Sequence, residues 1–153
     1  MKKTLVAVMA VALILSMLCG QALASSGDFT VKDAKAYSDP AMKNYIGTIP
    51  ANTALVVRDY DSYVDVYVDG RIVYIDGSTL LRKSLSAKYT GTLSKGTRVY
   101  QRADTDAVSY RLKKSISVKI CKVSGDWALI QSTGKRGLYA FVQVDKLSDI
   151  KVN

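Results

Sequence analysis

The sequence predicts an all-β fold of two tandem small β-barrels, on three observations. The chain repeats itself: Tyr37 is echoed by Tyr100, Ile49 by Leu112 and Val57 by Ile120, each at a spacing of 63. Tyr63 is echoed by Trp127 at 64, and Ile72-Val73-Tyr74-Ile75 by Tyr139-Ala140-Phe141-Val142 at 67. An offset that only grows is what small loop insertions produce, and such a repeat marks two similar units rather than one enzyme core. Second, β-branched and aromatic residues dominate, and long helical periodicity is absent. Third, short alternating runs are separated by turn residues, the pattern of small barrels.

The elements follow in chain order. Lys2 and Lys3 precede an apolar run from Leu5 to Leu18, and Ala22-Leu23-Ala24 offers small residues at the positions a signal peptidase reads. That order predicts a secretory signal peptide over 1–24. The run is short for a bilayer span of ~20 residues. A lipoprotein anchored at Cys19 is the alternative, against which Leu18 stands where such signals place a small residue. Residues 25–30 read as a flexible leader and 31–81 as the first unit. Within it Val64-Asp65-Val66-Tyr67-Val68 alternates as a half-buried strand, Asp69-Gly70 supplies a two-residue turn, and Arg71 to Ile75 returns. Residues 82–88 read as a linker and 89–149 as the second unit. There the hairpin recurs as Trp127 to Gln131, a loop with Gly134, and Leu138 to Val144. Looser stretches at Asp39-Pro40 and Asp104-Thr105-Asp106 read as loops. A shorter echo, Tyr45-Ile46-Gly47-Thr48-Ile49 against Tyr89-Thr90-Gly91-Thr92-Leu93 at a spacing of 44, leaves two options open. It is a third truncated copy or an extra strand pair leading into the second unit.

Composition bounds the chemistry. There is no histidine, and all 13 acidic residues are aspartate. Nucleophile–histidine pairs and histidine-ligated zinc are therefore excluded. Signal cleavage removes Cys19 and leaves Cys121 as the one thiol, placed beside Ile120 and Val123 as a buried strand residue. Asp59 with Asp61, Asp65 with Asp69 and Asp104 with Asp106 are the carboxylate pairs, all at turns or on a solvent face by pattern. Gly91 and Gly96 lack the lysine-serine ending of a phosphate loop. The chain is expected not to be an enzyme and to need no cofactor or metal.

Charge is divided unevenly. Residues 25–81 carry five Lys/Arg against eight Asp, and 82–153 carry fifteen against five. A basic half beside a mildly acidic one either docks the two halves together or steers the second onto an anionic polymer. Outside the cell that polymer is a teichoic acid, a phospholipid surface or an acidic glycan. Nucleic acid is not expected of an exported chain without a groove-binding motif.

Particular residues carry a family resemblance. In the second unit Val99-Tyr100 opens a strand, and Ala103 to Tyr110 forms a long first loop. Leu112-Lys113-Lys114-Ser115, Gly125-Asp126-Trp127-Ala128, Gly134-Lys135, Ala140-Phe141-Val142 and Leu147 follow. The first unit has Ala36-Tyr37, Gly47-Thr48-Ile49-Pro50, Asn52-Thr53, Val73-Tyr74-Ile75 and Leu80 in the same frame. These motifs resemble bacterial SH3-type domains over roughly Val31 to Asp149. Tyr63 replaces the family's tryptophan, and Val73, Ala140 and Ser115 replace glycines. The resemblance implies two SH3-like barrels that recognise peptidoglycan peptides or other proteins in a groove beside the first loop.

Site expectations follow. In Trp127-Ala128-Leu129-Ile130, alternation sends Ala128 and Ile130 to one face and Trp127 and Leu129 to the other. The small and branched pair suits a barrel core, which leaves Trp127 at the rim as a ligand platform. Tyr63 takes the same place in the first unit, with Tyr45, Tyr110 and Tyr139 on the same rim. Lys113, Lys114, Lys135 and Arg136 supply positive charge. The expected partner is a cell-wall peptide, a teichoic-acid-like polymer or an exported protein, met outside the cell, at the wall or in a periplasm. In the alternative, a structural or adaptor protein, the rings are buried in domain–domain or subunit contacts.

Overall fold

The computed structural model describes residues 26–60, 64–68, 71–81, 85–134 and 137–153. The signal segment, Ser25, Asp61, Ser62, Tyr63, Asp69-Gly70, residues 82–84, Lys135 and Arg136 lie outside the described residues. The described chain is all-β and forms two antiparallel sheets.

The first sheet contains β1 (Ser26–Phe29), β2 (Ala34–Tyr37), β3 (Tyr45–Ile49), β4 (Ala54–Tyr60), β5 (Val64–Val68) and β6 (Arg71–Ile75), in the spatial order β1-β4-β5-β6-β2-β3. A 3-10 turn at Gly77–Thr79 follows, with the Asp76 carboxylate accepting from the Ser78 N–H. The second sheet contains β7 (Tyr89–Leu93), β8 (Arg98–Tyr100), β9 (Ser109–Arg111), β10 (Ile116–Ser124), β11 (Trp127–Ser132), β12 (Tyr139–Gln143) and β13 (Leu147–Val152). Its order is β13-β7-β10-β11-β12-β8-β9, with a 3-10 turn at Val144–Lys146 before β13.

These orders are the same arrangement used twice. β1 to β6 correspond one for one to β7 to β12, and the registers agree at the spacings of the repeat. Ser26 faces Val57 as Tyr89 faces Ile120. Tyr37 faces Tyr74 as Tyr100 faces Phe141, and Val64 faces Ile75 as Ala128 faces Val142. The isolated bridge between Thr30 and Leu80 is the short counterpart of the Leu93–Leu147 pairing that starts the β7–β13 ladder.

Each sheet bends over its own core, because alternate residues of every strand turn inward. Val57, Val64, Val66 and Ile75 are fully enclosed in the first, with Ala34, Ala36 and Ile49 closing over them from β2 and β3. Leu93, Val118, Ala128, Ile130 and Val142 fill the second. Burying each branched side chain contributes ~1.5–3 kcal/mol against chain entropy.

Several expectations are corrected. Neither sheet closes into a barrel among the described residues: β1 and β3 end one, β13 and β9 the other. Residues 26–29, expected as leader, form β1, because pairing with β4 overrides the weak strand preference of Ser-Gly-Asp. Tyr89–Leu93 is neither a third copy nor an added strand pair. It is the second unit's counterpart of β1, seated between β10 and β13. Residues 85–88 of the expected linker are tied down: the Leu85 N–H donates to the Tyr139 hydroxyl at 3.1 Å, and the Lys88 carbonyl accepts from the Asn153 N–H at 2.9 Å.

Candidate functional site

The outer face of the second sheet divides into an aromatic half and a polar half. With Ala128, Ile130 and Val142 turned inward, Trp127, Leu129 and Phe141 turn outward, joined by Tyr100 and Tyr139. Phe29 of β1 and Ala54 of β4 cap this half, so one apolar cluster joins the two units. Phe29 meets Tyr139 edge-on at 5.6 Å between ring centroids, and Tyr100 meets Trp127 edge-on at 5.2 Å. Such pairs add to simple area burial because the positive ring edge faces the negative ring face. The Ala54 N–H donates to the Gln101 carbonyl at 2.8 Å across the same seam.

This seam decides the fate of the expected rim. Trp127 is half-buried, edge-on to Tyr100. Tyr139 lies in the seam and is only 6% exposed; burial pushes its phenol above the ordinary tyrosine range, opposed by the Leu85 N–H. Tyr110 is buried in the second core, facing Val99 across β8–β9, and presents no ring to a ligand. Its position alternates with Arg111, so period two turns it inward. Tyr45 is the open ring: 57% exposed on edge strand β3, edge-on to Tyr37 at 6.1 Å, with its hydroxyl 2.8 Å from Thr48 Oγ1. Cys121 is half-buried at the border of the seam, not in the core; burial raises its thiol pKa, and Lys119 partly offsets that.

The expected cations behave differently. Lys113 and Lys114 are exposed in the connection from β9 to β10. Every described lysine of the second unit is exposed. Sequence reasoning missed three neighbours of Lys113 and Lys114. Lys95 is brought beside them where its N–H donates to Ser115 Oγ at 3.0 Å, and Arg98 and Arg111 face each other across β8–β9. The available signal was the alternation of Arg98 with Val99 and of Tyr110 with Arg111, which sets both arginines on one outer face. Tyr63, Lys135 and Arg136 lie outside the described residues.

The described residues bring together no group of three His, Cys, Asp or Glu side chains suited to a metal. The arrangement offers recognition by charge, hydroxyl and ring surfaces. Fold and surface define a class: an all-β protein of two repeated sheet units sharing an aromatic seam. No family model, curated protein or solved structure matches the chain.

Proposed function

We propose that this chain is an exported, non-catalytic binding protein of two SH3-like modules, acting at the cell envelope, in the wall or in a periplasm. The repeated strand order, the three-strand meander in each unit and the 3-10 turn after it support the SH3-like reading. The observation that carries the function is the exposed lysine pair Lys113 and Lys114 of the second unit. Its counterpart in the first unit has Pro50 and Ala51 where Lys113 and Lys114 stand. Binding then rests on attraction of an anionic envelope polymer rather than on stacking against Trp127. Such attraction speeds encounter and weakens with salt. Purified wall sacculi, with and without their teichoic acid, test this: retention at low salt that falls at high salt is expected. Passage through both materials at low salt would remove the envelope reading.

A second reading, an adaptor or assembly protein, is favoured by the burial of Phe29, Tyr100, Tyr139 and Phe141 in the seam. On that reading no wall material is retained, and a defined exported protein copurifies with the chain from culture fluid.

A further inference from the structure

The basic surface has a focus whose geometry is set by the backbone. Arg98 and Arg111 are direct cross-strand partners on β8 and β9, both exposed. Direct partners hold their Cβ atoms about 4.5–5.5 Å apart, and like charges so placed repel. Arg98 is held extended by a hydrogen bond from Nη1 to Ser109 Oγ at 3.1 Å. The ladder continues through Thr97 and Leu112, with the Leu112 N–H donating to the Thr97 carbonyl and the Gly96 N–H to the Leu112 carbonyl, both at 2.8 Å. Leu112 is buried, so Arg111 and Lys113 on either side of it turn outward. Gly96, at φ +89°, makes the turn that sets Lys95 beside Ser115 and Lys114. Five cations thus share one end of the second sheet. Neither ion pair seen among the described residues, Arg102–Asp104 or Lys146–Asp145, involves them.

A self-repelling arginine rung flanked by lysines lowers stability unless an anion bridges it. Two guanidinium forks at one strand spacing match phosphate oxygens, while lysines act as point charges along a chain. We infer that Lys95, Arg98, Arg111, Lys113 and Lys114 form a binding site for a linear phosphodiester polymer. This rests on the envelope-binding reading and names its site and ligand chemistry.

The test measures affinity of the full exported chain for a purified glycerol-phosphate polymer across a salt series. Releasing counterions at five contacts predicts about a 100-fold loss between ~50 and ~200 mM salt. The double variant R98Q/R111Q is expected to bind more weakly and lose only about 20-fold over that range. It should melt at or above the wild-type temperature, since the repulsion is relieved. A control, K119Q/K151Q, removes equal charge from the polar half of the outer face, where Lys119 and Lys151 lie on either side of Thr90. It should keep the wild-type salt slope. Equal loss in both variants, or equal binding to anionic phospholipid vesicles, overturns the site. Sacculi retained after removal of the polymer overturn it too, yet leave envelope binding standing; sacculi never retained defeat both.

Discussion

Replacing Gly27 with alanine should open the seam between the two units. A Cβ at this position would lie 2.5 Å from the Gly137 carbonyl oxygen, 2.5 Å from Leu138 Cα and 3.0 Å from the Tyr139 nitrogen. All three are backbone atoms, so no rotamer change relieves the clash. The Gly137 carbonyl is also held in place, accepting from Nε2 of buried Gln131 at 3.1 Å. Restoring an ordinary separation of at least 3.4 Å moves β1 away from β12 by about 0.9 Å. A gap of that size forfeits about a quarter to a half of each dispersion contact. The Phe29–Tyr139 edge contact adds about 0.5–1.5 kcal/mol, and the hydrogen bonds from Ala54 and Leu85 contribute about 1 kcal/mol each when intact. Losing a quarter to a half of that sum amounts to about 0.6–1.8 kcal/mol, roughly a 3- to 20-fold shift in seam closure. Trp127 is the sole tryptophan and sits against Tyr100 in this seam, so its emission reports the opening. Urea titration followed by that emission should show G27A losing the seam before the sheets unfold. Gly134 has nothing within 4 Å of a built Cβ, and G134A should stay within about 0.5 kcal/mol of wild type. Superimposable titrations for G27A and wild type would refute the close-approach reasoning.

Three other outcomes are expected. Ile75→Ala removes a fully buried side chain of the first core and should lower unfolding free energy by about 2–5 kcal/mol, read by chemical denaturation. The Asp39 carboxylate accepts from the Asn44 N–H at 2.7 Å and from Lys43, which holds its pKa below the ordinary carboxylate value. A depressed folded pKa means that stabilisation of the 39–44 loop is full above the unfolded value and fades as pH falls through the folded one. Amide exchange at Asn44 should accelerate on acidification, and Asp39→Asn should flatten that dependence. Burial raises the Tyr139 phenol, so its contribution is full below the unfolded value of 10.0 and is lost as pH rises through the folded one. Trp127 emission should therefore report seam opening at alkaline pH, and Tyr139→Phe should abolish that transition.

What was legible in the sequence is what local pattern encodes. Alternation in Val64–Val68 and Arg71–Ile75 located a hairpin whose observed register pairs Val68 with Arg71. The same rule divided Trp127 and Leu129 from Ala128 and Ile130, and the two pairs do occupy different clusters. The repeat at 63 to 67 appears as matching registers in both sheets. Non-local pairing was not legible. Ser26–Phe29 has no β-branched residue, and its strand exists because β4 offers a free edge and Tyr139 receives Phe29. The ring platform also went astray for a non-local reason. An outward-facing aromatic row looks the same in sequence whether solvent or a neighbouring unit lies over it.

That ambiguity has a physical resolution in the two copies. Across the second sheet Tyr100, Phe141 and Leu129 stand in one cross-strand row, covered by Phe29 and Ala54. The same row in the first sheet is Tyr37, Tyr74 and Asp65. Two residues have gained a polar group relative to their counterparts, as suits a row without the apolar cover of the seam. In the opposite direction, Phe29 and Ala54 correspond at a spacing of 63 to Thr92 and Ser117, which lie on the polar half of the second unit's outer face. The contact between the units is therefore head to tail: each uses a different part of the same fold. A symmetric contact would have required the same residues on both sides. Here each copy presents an apolar outer patch to the other from a different part of the fold. The seam then explains the divergence of two otherwise equivalent sheets: burial under Phe29 and Ala54 holds Leu129 and Phe141 apolar, while the half-buried Asp65 and Tyr74, without that apolar cover, carry polar groups.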